Sequence, residues 1–115
     1  MRSALLNIAI YPPARIAKKA IVASRRFAGP DVLFTLNMRD HYPHITIYMT
    51  RFPLRNLGKV EQKLAMLSPA IKRIRLRAVE YRQDKEGYVD VRFVLSQEMA
   101  RLQREIIRAL NPLRE

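Results

Sequence analysis

The chain has 115 residues and no cysteine, and 22 Lys and Arg against 10 Asp and Glu give a formal net charge of +12. This length suits one domain, and an apolar fraction of 49% is too high for a disordered polycation. Without cysteine there is no disulfide framework, zinc–thiolate site or thiol nucleophile, so we expect a cytoplasmic protein. No apolar run reaches the ~20 residues that a membrane-spanning helix needs, so we expect no membrane partner.

The chain is predicted to begin with a strand and a helix. The strand runs from Ala4 to Tyr11 and stops at two prolines. The helix covers Ala14–Phe27, because small and apolar residues recur there at helical spacing, namely Ile16, Ala20, Ser24 and Phe27. A Gly-Pro pair ends it. Its basic residues fall on the opposite side, as is typical of a solvent-exposed helix face: Arg15, Lys18, Lys19, Arg25 and Arg26.

Two strands and a second helix are predicted next. The strands cover Val32–Asn37 and His44–Thr50, and the polar turn at residues 38–41 can join them as a hairpin. The helix covers Pro53–Leu67, where leucine and valine follow the helical period, and Ser68-Pro69 ends it.

The last third is predicted to hold a hairpin and a helix. Ile71–Tyr81 and Tyr88–Leu95 alternate between apolar and polar residues, with a turn at Gln83–Gly87. Ser96 is a favourable N-cap for a helix over Gln97–Leu110. The predicted order is βαββαββα, an α+β fold in which helices cover one face of a mainly antiparallel sheet, within one domain over residues 1–115.

The segment that says most about chemistry is Tyr42-Pro43-His44-Ile45-Thr46-Ile47-Tyr48. Strand alternation predicts that His44, Thr46 and Tyr48 share one face, with the imidazole and the threonine hydroxyl ~7 Å apart. Histidine exchanges protons near neutral pH, and a threonine hydroxyl can donate to a phosphoryl oxygen. The pair therefore fits acid–base chemistry on a phosphodiester, although a histidine on a strand is often only structural.

This motif and its place among the elements resemble the two-histidine (2H) phosphoesterases, which include bacterial RNA 2′,3′-cyclic phosphodiesterases, also called 2′-5′ RNA ligases. The resemblance is carried by an apolar first strand ending in Pro12-Pro13, by Pro43-His44-Ile45-Thr46-Ile47, and by Phe52-Pro53 at the start of a helix. It implies a bilobal fold in which each lobe supplies one His-x-Thr or His-x-Ser motif to a cleft.

The resemblance also implies a mechanism without a metal or other cofactor. One histidine acts as general base and the other protonates the leaving oxygen, while the two hydroxyl residues hold the phosphate. Carried over to this sequence, His44 is a catalytic histidine and Thr46 is its phosphate-holding partner.

The chain departs from the family in its second motif. Its other histidine, His41, is followed at the same spacing by Pro43 and not by Ser or Thr. In the family the second motif usually lies beyond a segment like Ser96–Leu110, so the sequence looks like the first lobe and the start of a second, incomplete at the C-terminus. Three explanations stay open: a truncated fragment, a half-length chain that forms a homodimer with two copies of His44 facing each other, or a homologue without turnover.

Three arginines at alternate positions form a candidate phosphate-binding row. On a strand, Arg73, Arg75 and Arg77 would stand ~7 Å apart, a separation like that of neighbouring backbone phosphates. Arginine also suits bidentate phosphate contact better than lysine does. Cross-strand pairing with Asp90 and neighbouring acids would occupy part of this row.

Three further residues are candidates for substrate contact. Tyr48 shares the predicted face of His44 and could stack on a base. Arg51 is a candidate phosphate ligand through its proximity to the motif. Tyr11 could also stack, but a ring at a strand end more often covers a core edge, and we expect that of Tyr11.

The sequence thus predicts a 2H phosphoesterase-like protein that acts on RNA ends or cyclic nucleotide 2′,3′-phosphodiesters. The alternative is a non-catalytic, basic RNA-binding module, for which the charge suffices. A third interpretation is a small structural or assembly protein whose basic surface contacts an acidic partner or ribosomal RNA.

Overall fold

The computed structural model describes residues 2–32, 35–71 and 73–115, and its α+β class agrees with the prediction. The strands are β1 (Ser3–Ile10), β2 (Ile45–Pro53), β3 (Ala78–Gln83) and β4 (Val89–Phe93). The helices are α1 (Ala14–Arg25), α2 (Leu57–Leu67) and α3 (Gln97–Leu110). Short 3-10 turns cover Leu54–Asn56, Ser68–Ala70 and Asn111–Leu113. None of the helices in these ranges is long and apolar enough to cross a bilayer.

The strands form two separate two-stranded antiparallel sheets, β1 with β2 and β3 with β4. The single sheet and the βαββαββα order are therefore not confirmed. Within the described residues, no part of the predicted strand Val32–Asn37 is a strand, while Leu33 and Phe34 lie outside them.

Side chains bind the backbone N–H groups around residue 37. Leu36 N donates to Ser24 Oγ at 2.9 Å. The Asn37 side-chain oxygen accepts from the N–H groups of Arg39 and His41, at 2.7 and 3.3 Å. Because Leu36 N is bound to Ser24, it is not available to a strand ladder. Residues 35–37 form no strand before the bend at residues 38–41, so the predicted hairpin is not confirmed.

The chain divides into two compact units. Unit 1 comprises Met1–Ala9, Thr46–Leu76 and Leu95–Glu115. Unit 2 comprises Ile10–Ile45 and Arg77–Val94.

Unit 1 contains most of the buried apolar side chains. Helix α3 buries residues at helical spacing, which are Met99, Leu102, Ile106 and Leu110, and its partner helix α2 buries Val60. The strands contribute Ile8, Ile47 and Phe52. The Gln103 side chain donates to Ile47 O at 2.9 Å and so attaches α3 to β2. The prediction for α3 is confirmed at both ends, and Ser96 Oγ accepts from Met99 N at 3.1 Å as an N-cap.

Helix α1 of unit 2 turns a different face inward from the one predicted. Ala17 and Ile21 are buried, whereas Ile16 is 47% exposed. The sequence carries two overlapping series at helical spacing, one through Ile16 and one through Ala17, and periodicity alone does not choose between them. After the helix, the Phe27 ring lies 5.3 Å from the Tyr81 ring, measured between centroids.

The β3–β4 hairpin is shorter than predicted at its open end. Val94 N donates to Arg77 O at 2.9 Å, and β3 begins only at Ala78. The chain after Val94 turns into the N-cap of α3, so residues 73–76 have no partner strand there. The prediction that Arg73, Arg75 and Arg77 lie on a strand is therefore wrong.

The closed end of the hairpin is a tight turn. Gly87 has φ 93°, a left-handed conformation that glycine adopts without steric cost. The Asp84 side chain accepts from Glu86 N at 2.9 Å and Tyr88 N at 3.0 Å. The predicted turn is thus confirmed.

Candidate functional site

His44 lies just before β2 and belongs to unit 2. Its exposed imidazole has Nδ1 2.9 Å from the Tyr42 carbonyl oxygen. A carbonyl oxygen only accepts hydrogen bonds, so Nδ1 carries the proton and, in the neutral ring, Nε2 is the basic nitrogen. The predicted strand His44–Thr50 begins one residue too early, since β2 runs from Ile45 to Pro53.

The Tyr11 ring lies next to His44 in unit 2 and packs against the Tyr42 ring. The Tyr11 ring centroid is 6.2 Å from the imidazole and 5.7 Å from the Tyr42 ring, which it meets edge-on. Tyr42 Oη lies 3.5 Å from the carbonyl oxygen of Pro12. Tyr11 is 64% exposed, so the expectation that it covers a core edge is wrong.

Sequence reasoning left Tyr11 and Tyr42 out of the site. One signal was available: each tyrosine immediately precedes a proline that ends or precedes a strand, Pro12 after β1 and Pro43 before β2. Such Tyr-Pro steps hold the tyrosine in extended backbone at a strand end.

Thr46 and Tyr48 lie on β2 and belong to unit 1. Strand alternation places both on one face of β2, as predicted, and Thr46 is exposed. Tyr48 Oη donates to Asn111 Oδ1 at 2.8 Å, and its half-buried ring meets Phe52 edge-on at 6.5 Å. Tyr48 therefore joins β2 to the residue that follows α3.

Arg51 contacts the first strand and the C-terminal residue. Its Nε donates to Ser3 Oγ at 3.0 Å and its Nη2 to Ser3 O at 3.2 Å. Nε also lies 3.6 Å from a carboxylate oxygen of Glu115. Because side chains alternate along β2, Arg51 points to the face opposite Thr46, and the structure does not bring these two predicted site residues together.

Arg73 and Arg75 line an open depression of about 470 Å³ in unit 1, together with Ser96, Gln97 and Glu98 at the start of α3. Both arginines are exposed. Among residues 2–32, 35–71 and 73–115, no carboxylate lies within 4.0 Å of either guanidinium group. The pair therefore remains available to an anion.

Arg77 belongs to unit 2, where Asp90 and Glu80 of the hairpin pair with other arginines. Arg82 lies 3.3 Å from Asp90, and Arg92 lies 3.0 Å from Glu80. The strand register sets these pairs, since Arg82 stands opposite Asp90 and Glu80 opposite Arg92. The alternative in which Asp90 pairs with the arginine row is therefore not observed, because Asp90 pairs with Arg82.

His41 lies in the turn before the motif. Its N–H donates to Asn37 Oδ1 at 3.3 Å, and its carbonyl oxygen accepts from Asn37 N at 3.0 Å. Within the described ranges, no group of three or more His, Asp or Glu residues is arranged to hold a metal ion.

Comparison with known proteins adds no relative: no protein-family model, curated protein or solved structure matches the chain. The likeness to 2H phosphoesterases thus depends on the motif of this sequence and its setting.

Proposed function

We propose that the chain is a 2H phosphoesterase-like protein that acts on RNA ends or cyclic nucleotide 2′,3′-phosphodiesters, with His44 as a proton-transfer group. The observation that carries the proposal is the exposed imidazole whose Nδ1–H is bound by the Tyr42 carbonyl oxygen. A fixed tautomer with a basic Nε2 suits a general base, because the proton-accepting nitrogen is defined before substrate binds.

The exposed ring of Tyr11 supports a nucleotide as the substrate. Its centroid lies 6.2 Å from that of His44, and tyrosine faces are common platforms for bases in single-stranded RNA. A base stacked on Tyr11 would bring its ribose phosphate near the imidazole.

The proposed reaction with a 2′,3′-cyclic phosphate is a displacement at phosphorus. A water oxygen bonds to phosphorus while His44 takes a proton from that water. The bond from phosphorus to one ribose oxygen breaks, and this oxygen receives a proton from a second acid. On the basis of the motif pattern, Thr46 is assigned to hold a phosphoryl oxygen. In the family that the sequence resembles, the second acid is the other histidine.

The test measures hydrolysis of a 2′,3′-cyclic mononucleotide by the wild-type chain and two histidine variants. His44→Ala should lower turnover by about 10²- to 10⁴-fold, whereas His41→Ala, which removes the histidine outside the motif, should keep it. Thr46→Val, which replaces the hydroxyl by a methyl group, should weaken substrate binding. Wild-type activity in His44→Ala would overturn the assignment.

A second candidate function is RNA binding without turnover, and the two arginines of the depression favour it. Arg73 and Arg75 have no carboxylate within ion-pair distance in the described residues, in a chain of net charge +12. Such a surface predicts RNA affinity that falls steeply with salt. Under this candidate, His44→Ala leaves RNA affinity unchanged and the wild-type chain hydrolyses no cyclic phosphate.

A further inference from the structure

The β3–β4 hairpin carries no excess of basic residues. Residues 78–93 carry four acidic and three basic side chains, in a protein whose net charge is +12. Like-charge repulsion opposes the association of two copies of this chain, and the hairpin does not add to that repulsion.

The outer edge of β4 offers backbone groups for another strand. Asp84 N donates to Tyr88 O at 2.9 Å and Val94 N donates to Arg77 O at 2.9 Å. Hydrogen-bonded pairs alternate along an antiparallel ladder, so Asp90 and Arg92 turn their N–H and C=O groups towards β3. Val89, Val91 and Phe93 turn theirs outward, where no strand of the described residues pairs with them.

The sequence of β4, Val-Asp-Val-Arg-Phe, is complementary to itself when a second copy runs antiparallel. With the two-fold axis at Val91, Asp90 of each copy stands opposite Arg92 of the other. The outward groups of Val91 then bond to those of Val91 in the second copy, and those of Val89 bond to those of Phe93. Opposite charges directly across two strands stabilise a sheet.

Both faces of the hairpin fit this pairing. One face carries the ion pairs Arg82–Asp90 and Glu80–Arg92, so pairing extends each into a row of four alternating charges. On the other face Tyr81, Val91 and Phe93 are 57%, 38% and 41% exposed, and pairing doubles this apolar surface. A two-stranded sheet is marginal in water, whereas four strands with an apolar face are a stable arrangement.

We infer that two copies of this chain associate through antiparallel pairing of their β4 strands, with the two-fold axis at Val91, to form a four-stranded sheet. The interface is independent of the proposed chemistry at His44. It is small, so the dissociation constant is expected in the micromolar range, at ~1–100 µM.

The first experiment measures mass against concentration by sedimentation equilibrium. The wild-type chain should pass from one to two copies as concentration rises. Val91→Pro removes an N–H that points away from β3, and proline is tolerated at such edge positions. This variant should keep the wild-type circular dichroism spectrum and remain a monomer. A wild-type chain that is monomeric at ~1 mM, or a Val91→Pro variant that still dimerises, would overturn the inference.

The second experiment uses charge complementation. Asp90→Arg places two arginines on β4, and Arg92→Asp places two aspartates there, so each variant should dimerise at least about tenfold more weakly than wild type. Mixed in equal amounts, they should form a heterodimer, because each arginine then faces an aspartate. Glu61→Arg on α2 changes the net charge as Asp90→Arg does and should leave dimerisation unchanged. Failure of the mixture to associate would contradict the pairing.

Discussion

The carbonyl oxygen of Tyr42 lies 2.9 Å from His44 Nδ1, two residues further along the chain. Because the acceptor belongs to the backbone, changing the Tyr42 side chain does not remove it. Tyr42→Phe should therefore keep turnover of a cyclic phosphate within about twofold of wild type, since the hydroxyl group makes only a long 3.5 Å contact with Pro12 O. A hundredfold loss in Tyr42→Phe would mean that the phenol takes part in the reaction.

Tyr11 should act on binding more than on chemistry. Removing a stacking ring costs about 1–3 kcal/mol, so Tyr11→Ala should raise KM for a cyclic mononucleotide by roughly 5- to 150-fold with kcat nearly unchanged. Tyr11→Phe keeps the ring and should restore KM. Steady-state kinetics of the two variants provide the measurement, and equal KM values for the Ala and Phe variants would contradict stacking.

The local pattern of the sequence predicted the α+β class and the three helices, but not the division into two sheets. The start of α3 follows from its N-cap Ser96, and its extent follows from helical spacing. The hairpin turn follows from Asp84 and Gly87. Each of these signals lies in residues that are close together in sequence. The inward face of α1 and the length of β3 depend on what lies beside them in space. A strand pattern over Ile71–Tyr81 does not reveal that its partner turns into a helix N-cap after Val94.

In the candidate site, too, the neighbours of a residue in sequence differ from its neighbours in space. The His-x-Thr motif is visible in the sequence, but the Tyr11 ring comes within 6.2 Å of His44 only after folding brings residues far apart in sequence together. Arg51 illustrates the converse. It lies near the motif in sequence, yet it hydrogen-bonds Ser3 on the opposite face of β2 from Thr46.

The arginine pair of the depression should contribute to RNA binding through charge. Each phosphate contact on a single strand adds about 0.7 to the slope of log K against log salt, so Arg73→Ala/Arg75→Ala should reduce that slope by roughly 1.4. The control Arg82→Ala/Arg92→Ala removes the same number of positive charges, but these two arginines are already paired with carboxylates. It should therefore change the slope less than the first double variant does. Filter binding of a short RNA at nanomolar protein tests this, and equal slopes for the two double variants would contradict it.

Leu110 is a main contributor to the stability of unit 1. It is fully buried at the end of α3, so Leu110→Ala should lower the free energy of unfolding by ~2–5 kcal/mol through lost contacts and a cavity. Leu95→Ala, at a site that is 70% exposed, should change it by less than about 0.5 kcal/mol. Urea denaturation compares the two, and similar midpoints would show that Leu110 is not part of the core.

The central claim is that His44 transfers a proton during phosphodiester hydrolysis, and chemical rescue tests it most directly. Turnover of a 2′,3′-cyclic mononucleotide by His44→Ala is measured with increasing imidazole, beside wild type and His41→Ala. General acid–base catalysis contributes about 10²- to 10⁴-fold, so His44→Ala should lose activity on that scale and regain part of it with imidazole, while His41→Ala stays active. A His44→Ala variant as active as wild type would contradict the account.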